Sequence, residues 1–333
     1  MSTETFKAML LRQDGQKTIA AVENLNLSDL PQEDTLVQVD FSTLNFKDAL
    51  AVTGTGKIVR TWPLVPGVDF AGTVIETTNP RLSKGQKVVL TGWSVGEKFW
   101  GGYSQFQRIC GDWLVPLPEG LSTRQAMMIG TAGFTAMLCV DALESAGITP
   151  ESGTVCVTGA AGGVGSVAIA ILSHLGYSVS ALTGTDDNAK HDYVKSLGAA
   201  EIADDARWAE TPRPLEGQKW AAGIDTVGTA VLARLLAEMN YGGVVAACGL
   251  AGGADLPTSV MPFILRSVRL LGVDSVMAPI PTRTRAWERL VHVLRPELLE
   301  TITSTSISLE EVKPAAEDLL AGNIKGRVLV DLT

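Results

Sequence analysis

The residues best suited to hold a charged ligand lie in the middle of the chain. An apolar, β-branched run, Thr154–Thr158, passes into Gly159-Ala160-Ala161-Gly162-Gly163-Val164-Gly165, and a helix is predicted directly afterwards, over Val164–Leu175. Glycines let the backbone close on a pyrophosphate. A helix N-terminus then offers N–H groups with no intrahelical partner and the positive end of the helix dipole. The spacing is G-x-x-G-x-x-G rather than G-x-G-x-x-G, so the glycines alone are a weak signal; the strand before and the helix after give it weight. Gly162, Gly163, Val164, Gly165 and Ser166 are the expected pyrophosphate contacts. The competing interpretation is a tight strand-to-helix turn that binds nothing.

The next predicted strand, Ser178–Thr183, decides which dinucleotide fits. An NAD site usually ends that strand with an acid that binds the ribose hydroxyls. Here the strand ends in Thr183-Gly184-Thr185, and Lys190 follows a few residues on. Hydroxyls, a glycine and an ammonium group suit a 2′-phosphate, so NADPH is the expected cofactor. Asp186 and Asp187 argue the other way, and the alternative for Lys190 is a solvated charge at a helix start.

Two kinds of element must position these residues. Ahead of Leu121 the chain is β-rich: Thr35–Phe41, Gly72–Glu76 and Gln86–Thr91 are short, β-branched and bounded by turn residues, which predicts a compact barrel or sandwich. Ser122–Glu144 has a helical pattern that Gly130 and Gly133 interrupt. From Gly153 on, strands (Thr154–Thr158, Ser178–Thr183, Gly223–Val227, Val244–Gly249, Val268–Val273) alternate with helices such as Lys190–Leu197 and Ala230–Met239. That alternation predicts a parallel sheet wrapped by helices. The chain ends in a helix and then a strand, Arg327–Leu332, that could return to the N-terminal β unit.

Composition narrows the function. With 27 basic and 36 acidic residues the net charge is −9, the wrong sign for nucleic acid, and no basic run rescues that function. The cysteines Cys110, Cys139, Cys156 and Cys248 are scattered without a Cys-x-x-Cys, which predicts free thiols and a cytoplasmic location. The uncharged stretch 152–185 is broken by glycines and is predicted as strand, loop, helix and strand rather than a membrane span. The N-terminal residues lack the pattern of a secretory signal.

With these features in place, the sequence resembles the medium-chain dehydrogenase/reductase superfamily. PGVDFAG (66–72), GTAGFTA (130–136), GAAGGVG (159–165), DTVG (225–228) and NIKGRVLV (323–330) carry the likeness along the whole chain. STLNFKDALAVTG (42–54), TGWSVGEKFWGG (91–102), MNYGGVVAACGLAGG (239–253) and MPFILRSVRLLGVDS (261–275) are similar to the acrylyl-CoA reductase subgroup of its zinc-free, quinone-oxidoreductase-like branch. The resemblance implies an α/β protein of two parts. One is a chaperonin-10-like β-barrel domain, residues 1–124 with 297–333. The other is a Rossmann domain, residues 125–296, with a doubly wound parallel sheet. It also implies a homodimer paired through Val268–Val273.

The activity so implied is NADPH-dependent reduction of the activated C=C bond of an acyl-CoA by direct hydride transfer. Asn45, Phe46 and Asp48 would stand beside the nicotinamide, with Asn45 donating to the substrate carbonyl or orienting the carboxamide and Phe46 packing on the ring. Relatives often carry tyrosine at Phe46, so no phenol is available there as proton donor and water is the alternative. Thr131, Gly249, Leu250, Ser275 and Arg327 would line the cofactor. The alternative for Asn45 and Asp48 is a helix cap. Zinc-dependent members carry Gly-His-Glu where this chain has Gly67-Val68-Asp69, and no histidine lies in the N-terminal part, so no metal is expected. Lys57 and Arg60 are candidates for the CoA phosphates or, equally, solvated charges.

Three rivals remain open. A quinone or alkenal reductase would use the same cofactor site. A non-enzymatic NADPH-binding protein would bind without turnover. Gly92-Trp93-Ser94-Val95-Gly96 matches the G-x-S-x-G of serine hydrolases, but the helix that motif requires does not follow.

Overall fold

The computed structural model describes residues 5–184, 187–204 and 206–333. Thr185, expected at the 2′-phosphate, and Asp186 lie outside the described residues. The chain divides into two compact units: Met1–Thr131 with Val276–Val291 and Thr303–Thr333, and Ala132–Ser275 with His292–Ile302.

The first unit is built on a seven-stranded sheet. Its path runs Thr303–Ile307, Arg327–Asp331, Thr35–Leu44, Asp69–Thr77, Lys87–Thr91, Val115–Pro116, and Phe106–Ile109 pairs on the side with Thr35–Leu44. The last strand of the chain lies antiparallel to Thr35–Leu44 and parallel to Thr303–Ile307, so the C-terminus does return to the N-terminal β unit. A hairpin, Thr5–Asp14 with Lys17–Asn26, turns at Gly15 and covers the core. Val37, Val39, Phe70, Val74, Leu90 and Val330 alternate inward and close that core.

The second unit holds a six-stranded, wholly parallel sheet: Glu201–Ile202, Val179–Leu182, Val155–Thr158, Trp220–Asp225, Met239–Ala247, Arg269–Gly272. Numbered along the chain within this sheet, the order is 3-2-1-4-5-6, the doubly wound arrangement expected of a dinucleotide fold. Val155–Thr158 and Val179–Leu182 are buried on both faces, which explains why neither carries a charged residue.

Two local features differ from the sequence expectation. Thr123–Ser145 breaks once, at Gly130 (φ 55°), while Gly133 stays helical. Val276–Val291, placed by sequence with 125–296, groups with the first unit. There the buried Arg283 donates to Thr91 O and Oγ1 at 2.7 and 2.8 Å and to Val276 O at 2.7 Å. The helix Thr123–Ser145 is long and apolar enough to span a bilayer, but its apolar window is 78% buried in the protein.

Candidate active site

In the second unit, the chain leaves Val155–Thr158 through Gly159 (φ 58°) and enters the helix Gly163–His174. Gly165 is the tightest point: a Cβ there would stand 2.4 Å from Gly159 O and 2.7 Å from Ala160 Cα, both backbone atoms. The helix can therefore start directly beneath the loop only with glycine at this position. The first-turn N–H groups of Gly163, Val164 and Gly165 have no partner within the helix and form a cradle for an anion. Ser166 is placed differently from the expectation. Its side chain is buried and donates back to Gly162 O at 2.6 Å, so it secures the turn.

The loop rests on residues of the DTVG segment. Thr158 Oγ1 donates to Asp225 Oδ1 at 2.7 Å, Gly228 N to Asp225 Oδ2 at 2.8 Å, and Thr226 Oγ1 to Thr158 O at 3.0 Å. Burial pushes the Asp225 carboxyl up. Gly249, Leu250 and Ser275 follow the C-terminal ends of the fifth and sixth strands, as Gly159 and Thr183 follow the first and second. Gly159, Thr183, Gly184, Gly249, Leu250 and Ser275 thus share the carboxyl edge of the parallel sheet, where ligands of doubly wound folds bind.

The end of Val179–Leu182 holds a surprise. Thr183 N and Gly184 N both donate to Asp204 Oδ1 at 2.9 Å, Thr183 Oγ1 donates to Asp204 Oδ2, and His191 Nε2 lies 2.8 Å from the same carboxylate. Asp204, which the sequence does not single out, already occupies these donors. Asp187 accepts from Ala189 N and Lys190 N and so caps Asn188–Ser196. Lys190 stands in the first turn of that helix.

In the first unit, Thr35–Leu44 ends at Asn45, which caps the helix Phe46–Thr53. Asp48 closes a capping box: its Oδ2 accepts from Asn45 N at 3.0 Å and Nδ2 at 3.1 Å, and its Oδ1 from Val68 N at 2.9 Å. Asp48 is 1% exposed; burial, and then the charge of Asp69, push its carboxyl up to about 7. The geometry makes Asp48 a buried cap with no face toward a ligand.

Asp69, the residue after Gly67-Val68, is the hub. It accepts from Thr43 N at 3.2 Å, Thr43 Oγ1 at 2.7 Å, Asn45 Nδ2 at 3.1 Å and Thr131 N at 2.8 Å. Arg327, 2% exposed, donates to Asn45 Oδ1 at 3.2 Å and Thr43 Oγ1 at 2.8 Å. A Cβ on Gly130 would lie 2.6 Å from Arg327 Nη2, so the helix break makes room for the guanidinium. Thr131 and Arg327, expected at the cofactor, are thus brought together with Asn45 around Asp69. Phe46 is 40% exposed and presents its ring outward. Lys57 and Arg60 are exposed, and Arg60 N donates to Glu97 O at 2.7 Å. Ser94 of the G-x-S-x-G match has φ 58°, but no helix follows it and the described histidines all lie in the second unit.

Comparison with known proteins agrees with both halves. Residues 31–119 match the alcohol dehydrogenase GroES-like domain and residues 163–292 the zinc-binding dehydrogenase family. The chain is 56% identical to the probable acrylyl-CoA reductase AcuI of Escherichia coli (strain K12), over 98% of this chain and 99% of that protein. It is 54% identical to the acrylyl-CoA reductase AcuI of Ruegeria pomeroyi, with the same coverage. The crystal structure of the yhdH oxidoreductase from Salmonella enterica in complex with NADP superposes with a TM-score of 0.95 at 55% identity, covering 98% of this chain and 100% of that one.

The second family's name implies zinc, and the residues do not fit it. Zinc takes three or four N, S or O ligands in close array. Among the described residues no group of three His, Cys, Asp or Glu side chains is placed to hold a metal. Asp69 is surrounded by protein donors instead.

Proposed function

Because the chain belongs to the medium-chain dehydrogenase/reductase superfamily, in its quinone-oxidoreductase-like branch, we propose that it is an acrylyl-CoA reductase that uses NADPH to form propanoyl-CoA. The observation that carries this is the full-length identity of 54–56% to acrylyl-CoA reductases. The glycine loop, which has no room for a side chain at Gly165, supports the cofactor.

Bound NADPH supplies a hydride to the β-carbon of the unsaturated thioester. The first-turn N–H groups of residues 163–165 take the charge of the pyrophosphate. Lys190 takes that of the 2′-phosphate, since Asp204 engages the donors of Thr183 and Gly184. Phe46 offers an aromatic face to a flat ring. Asn45 has its N–H bonds engaged within the protein, so it is not assigned as a donor to the developing enolate, and the proton at the α-carbon is assigned to water. Lys57 and Arg60 are the exposed cations nearest in sequence to this helix and are assigned to the CoA phosphates.

The test is NADPH oxidation with acrylyl-CoA, crotonyl-CoA and a simple quinone in parallel. Acrylyl-CoA is expected to exceed crotonyl-CoA by about tenfold or more in kcat/KM, since the two differ by one methyl group. A preference for the quinone overturns the substrate assignment, and tight NADPH binding with no turnover on any acceptor makes this a binding protein. We also assign catalysis without metal. Prolonged chelation is expected to leave the rate unchanged, and a loss that added zinc restores would reverse that assignment.

A homodimer and a cytoplasmic location complete the proposal. Among the described residues Arg269–Gly272 pairs with a neighbour on one side only, and Tyr241, Val260, Ile264 and Leu265 are 54–74% exposed. A two-fold partner would cover that edge and that apolar surface. Ile264→Asp is expected to give a monomer by light scattering; a variant that keeps the wild-type dimer mass places the interface elsewhere.

A further inference from the structure

In an NAD site the acid that turns a 2′-phosphate away ends the second strand of the sheet. Here Thr183 and Gly184 follow that strand, and neither carries a charge. A carboxylate reaches the same place by another route. Glu201–Ile202 lies beside Val179–Leu182 and parallel to it, with Ile202 opposite Ala181. Parallel neighbours end on the same side of a sheet, so Asp204, just beyond Ile202, comes level with Thr183 and Gly184. All of these residues belong to the second unit.

The carboxylate of Asp204 is fully engaged. Its Oδ1 accepts from Thr183 N and Gly184 N, both at 2.9 Å. Its Oδ2 accepts from Thr183 Oγ1 and stands 2.8 Å from His191 Nε2. These partners use the lone pairs of both oxygens. Asp204 therefore meets a cofactor as a fixed charge and not as an acceptor for ribose hydroxyls. Its side chain is 12% exposed and that of His191 16%, so little water lies over the charge. Asp187 differs: it accepts from Ala189 N and Lys190 N at the start of Asn188–Ser196, where the helix dipole offsets its charge.

A phosphate monoester carries about −1.5 to −2 charges at pH 7. At the end of the second strand Lys190 attracts such a group and Asp204 repels it. We propose that Asp204 is a specificity-determining residue that holds down the preference for NADPH over NADH by setting a negative charge against the 2′-phosphate. NADH carries only hydroxyls on that ribose, so the charge has no anion there to oppose. The inference rests on the cofactor site proposed above and is independent of which acceptor is reduced.

The experiment measures the dissociation constants of NADPH and NADH for wild type, Asp204→Asn and Asp204→Glu by isothermal titration. Asparagine keeps the shape. Its Oδ1 still accepts from Thr183 N and Gly184 N, and its NH2 group can donate to Thr183 Oγ1 and His191 Nε2. Only the charge is lost. Asp204→Asn is expected to bind NADPH about 3- to 10-fold more tightly than wild type, with NADH within about twofold. Asp204→Glu keeps the charge and should bring no gain for NADPH. Asp204→Ser removes the charge with a smaller group and should shift the ratio of the two constants in the same direction as Asp204→Asn.

A gain in affinity for one cofactor alone is a result that a merely structural role does not produce. Its salt dependence identifies its origin. At about 1 M salt, where the screening length falls to about 3 Å, the gain should shrink to within about twofold. A gain that salt leaves whole comes from repacking and overturns the proposal. So do unchanged constants in the neutral variants, or a parallel loss of both cofactors, which would make Asp204 a structural tether. If wild type binds neither cofactor, the cofactor assignment fails and this inference with it. If wild type binds both and the ratio does not move in the variants, only the role of Asp204 is overturned.

Discussion

Gly165→Ala is expected to raise the dissociation constant for NADPH by about 5- to 150-fold, because overpacking a rigid site costs about 1–3 kcal/mol and each 1.4 kcal/mol is tenfold. The added Cβ meets Gly159 O at 2.4 Å and Ala160 Cα at 2.7 Å. Neither is a flexible side-chain end that can swing away, so the loop and the helix start must separate, and the cradle opens. Gly176→Ala is the control. That glycine has φ 86° and nothing within 4 Å of the methyl group that alanine would add, so the change strains the backbone without touching the cradle. Isothermal titration with NADPH checks both. Equal affinities for wild type and Gly165→Ala would remove the pyrophosphate from this loop.

Lys190→Ala should weaken NADPH by about 10- to 100-fold, the worth of a charge-assisted contact of roughly 1.5–3 kcal/mol. NADH, which lacks the 2′-phosphate, should bind within about twofold of wild type. The structure sharpens this expectation. By sequence Thr183 shares the phosphate, but its N–H and hydroxyl, with Gly184 N, converge on Asp204. The cation at the start of Asn188–Ser196 therefore carries more of the discrimination. Parallel losses for the two cofactors would move the 2′-phosphate away from Lys190.

Much of the scaffold is legible because its signals are local. The strand, glycine loop and helix of 154–175 are contiguous, and the alternation of strands and helices after Gly153 leaves few topologies open to a parallel sheet. The cap at Asn45 is legible as well, as Asn followed three residues later by an acid. What escapes the sequence comes from residues far apart in the chain. The hairpin Thr5–Asp14/Lys17–Asn26 lacks a clean alternation on its second strand and declares itself only by pairing. Asp69, Thr43, Thr131 and Arg327 meet across separations of up to 284 residues, and no spacing rule connects them. Asp204 reaches Thr183 because adjacent parallel strands bring their carboxyl ends side by side.

The sequence by itself determined a parallel sheet wrapped by helices and the glycine loop between its first strand and helix, since both follow from hydrophobic period or from residues within one loop. Tertiary structure alone decided which polar groups face a ligand and which serve only one another. Asp48, Ser166 and Arg327 all have the chemistry of site residues, yet burial and hydrogen bonding turn them inward. A polar group removed from water must find its partners inside the fold, and those partners are set by the packing of distant strands rather than by neighbours in the chain.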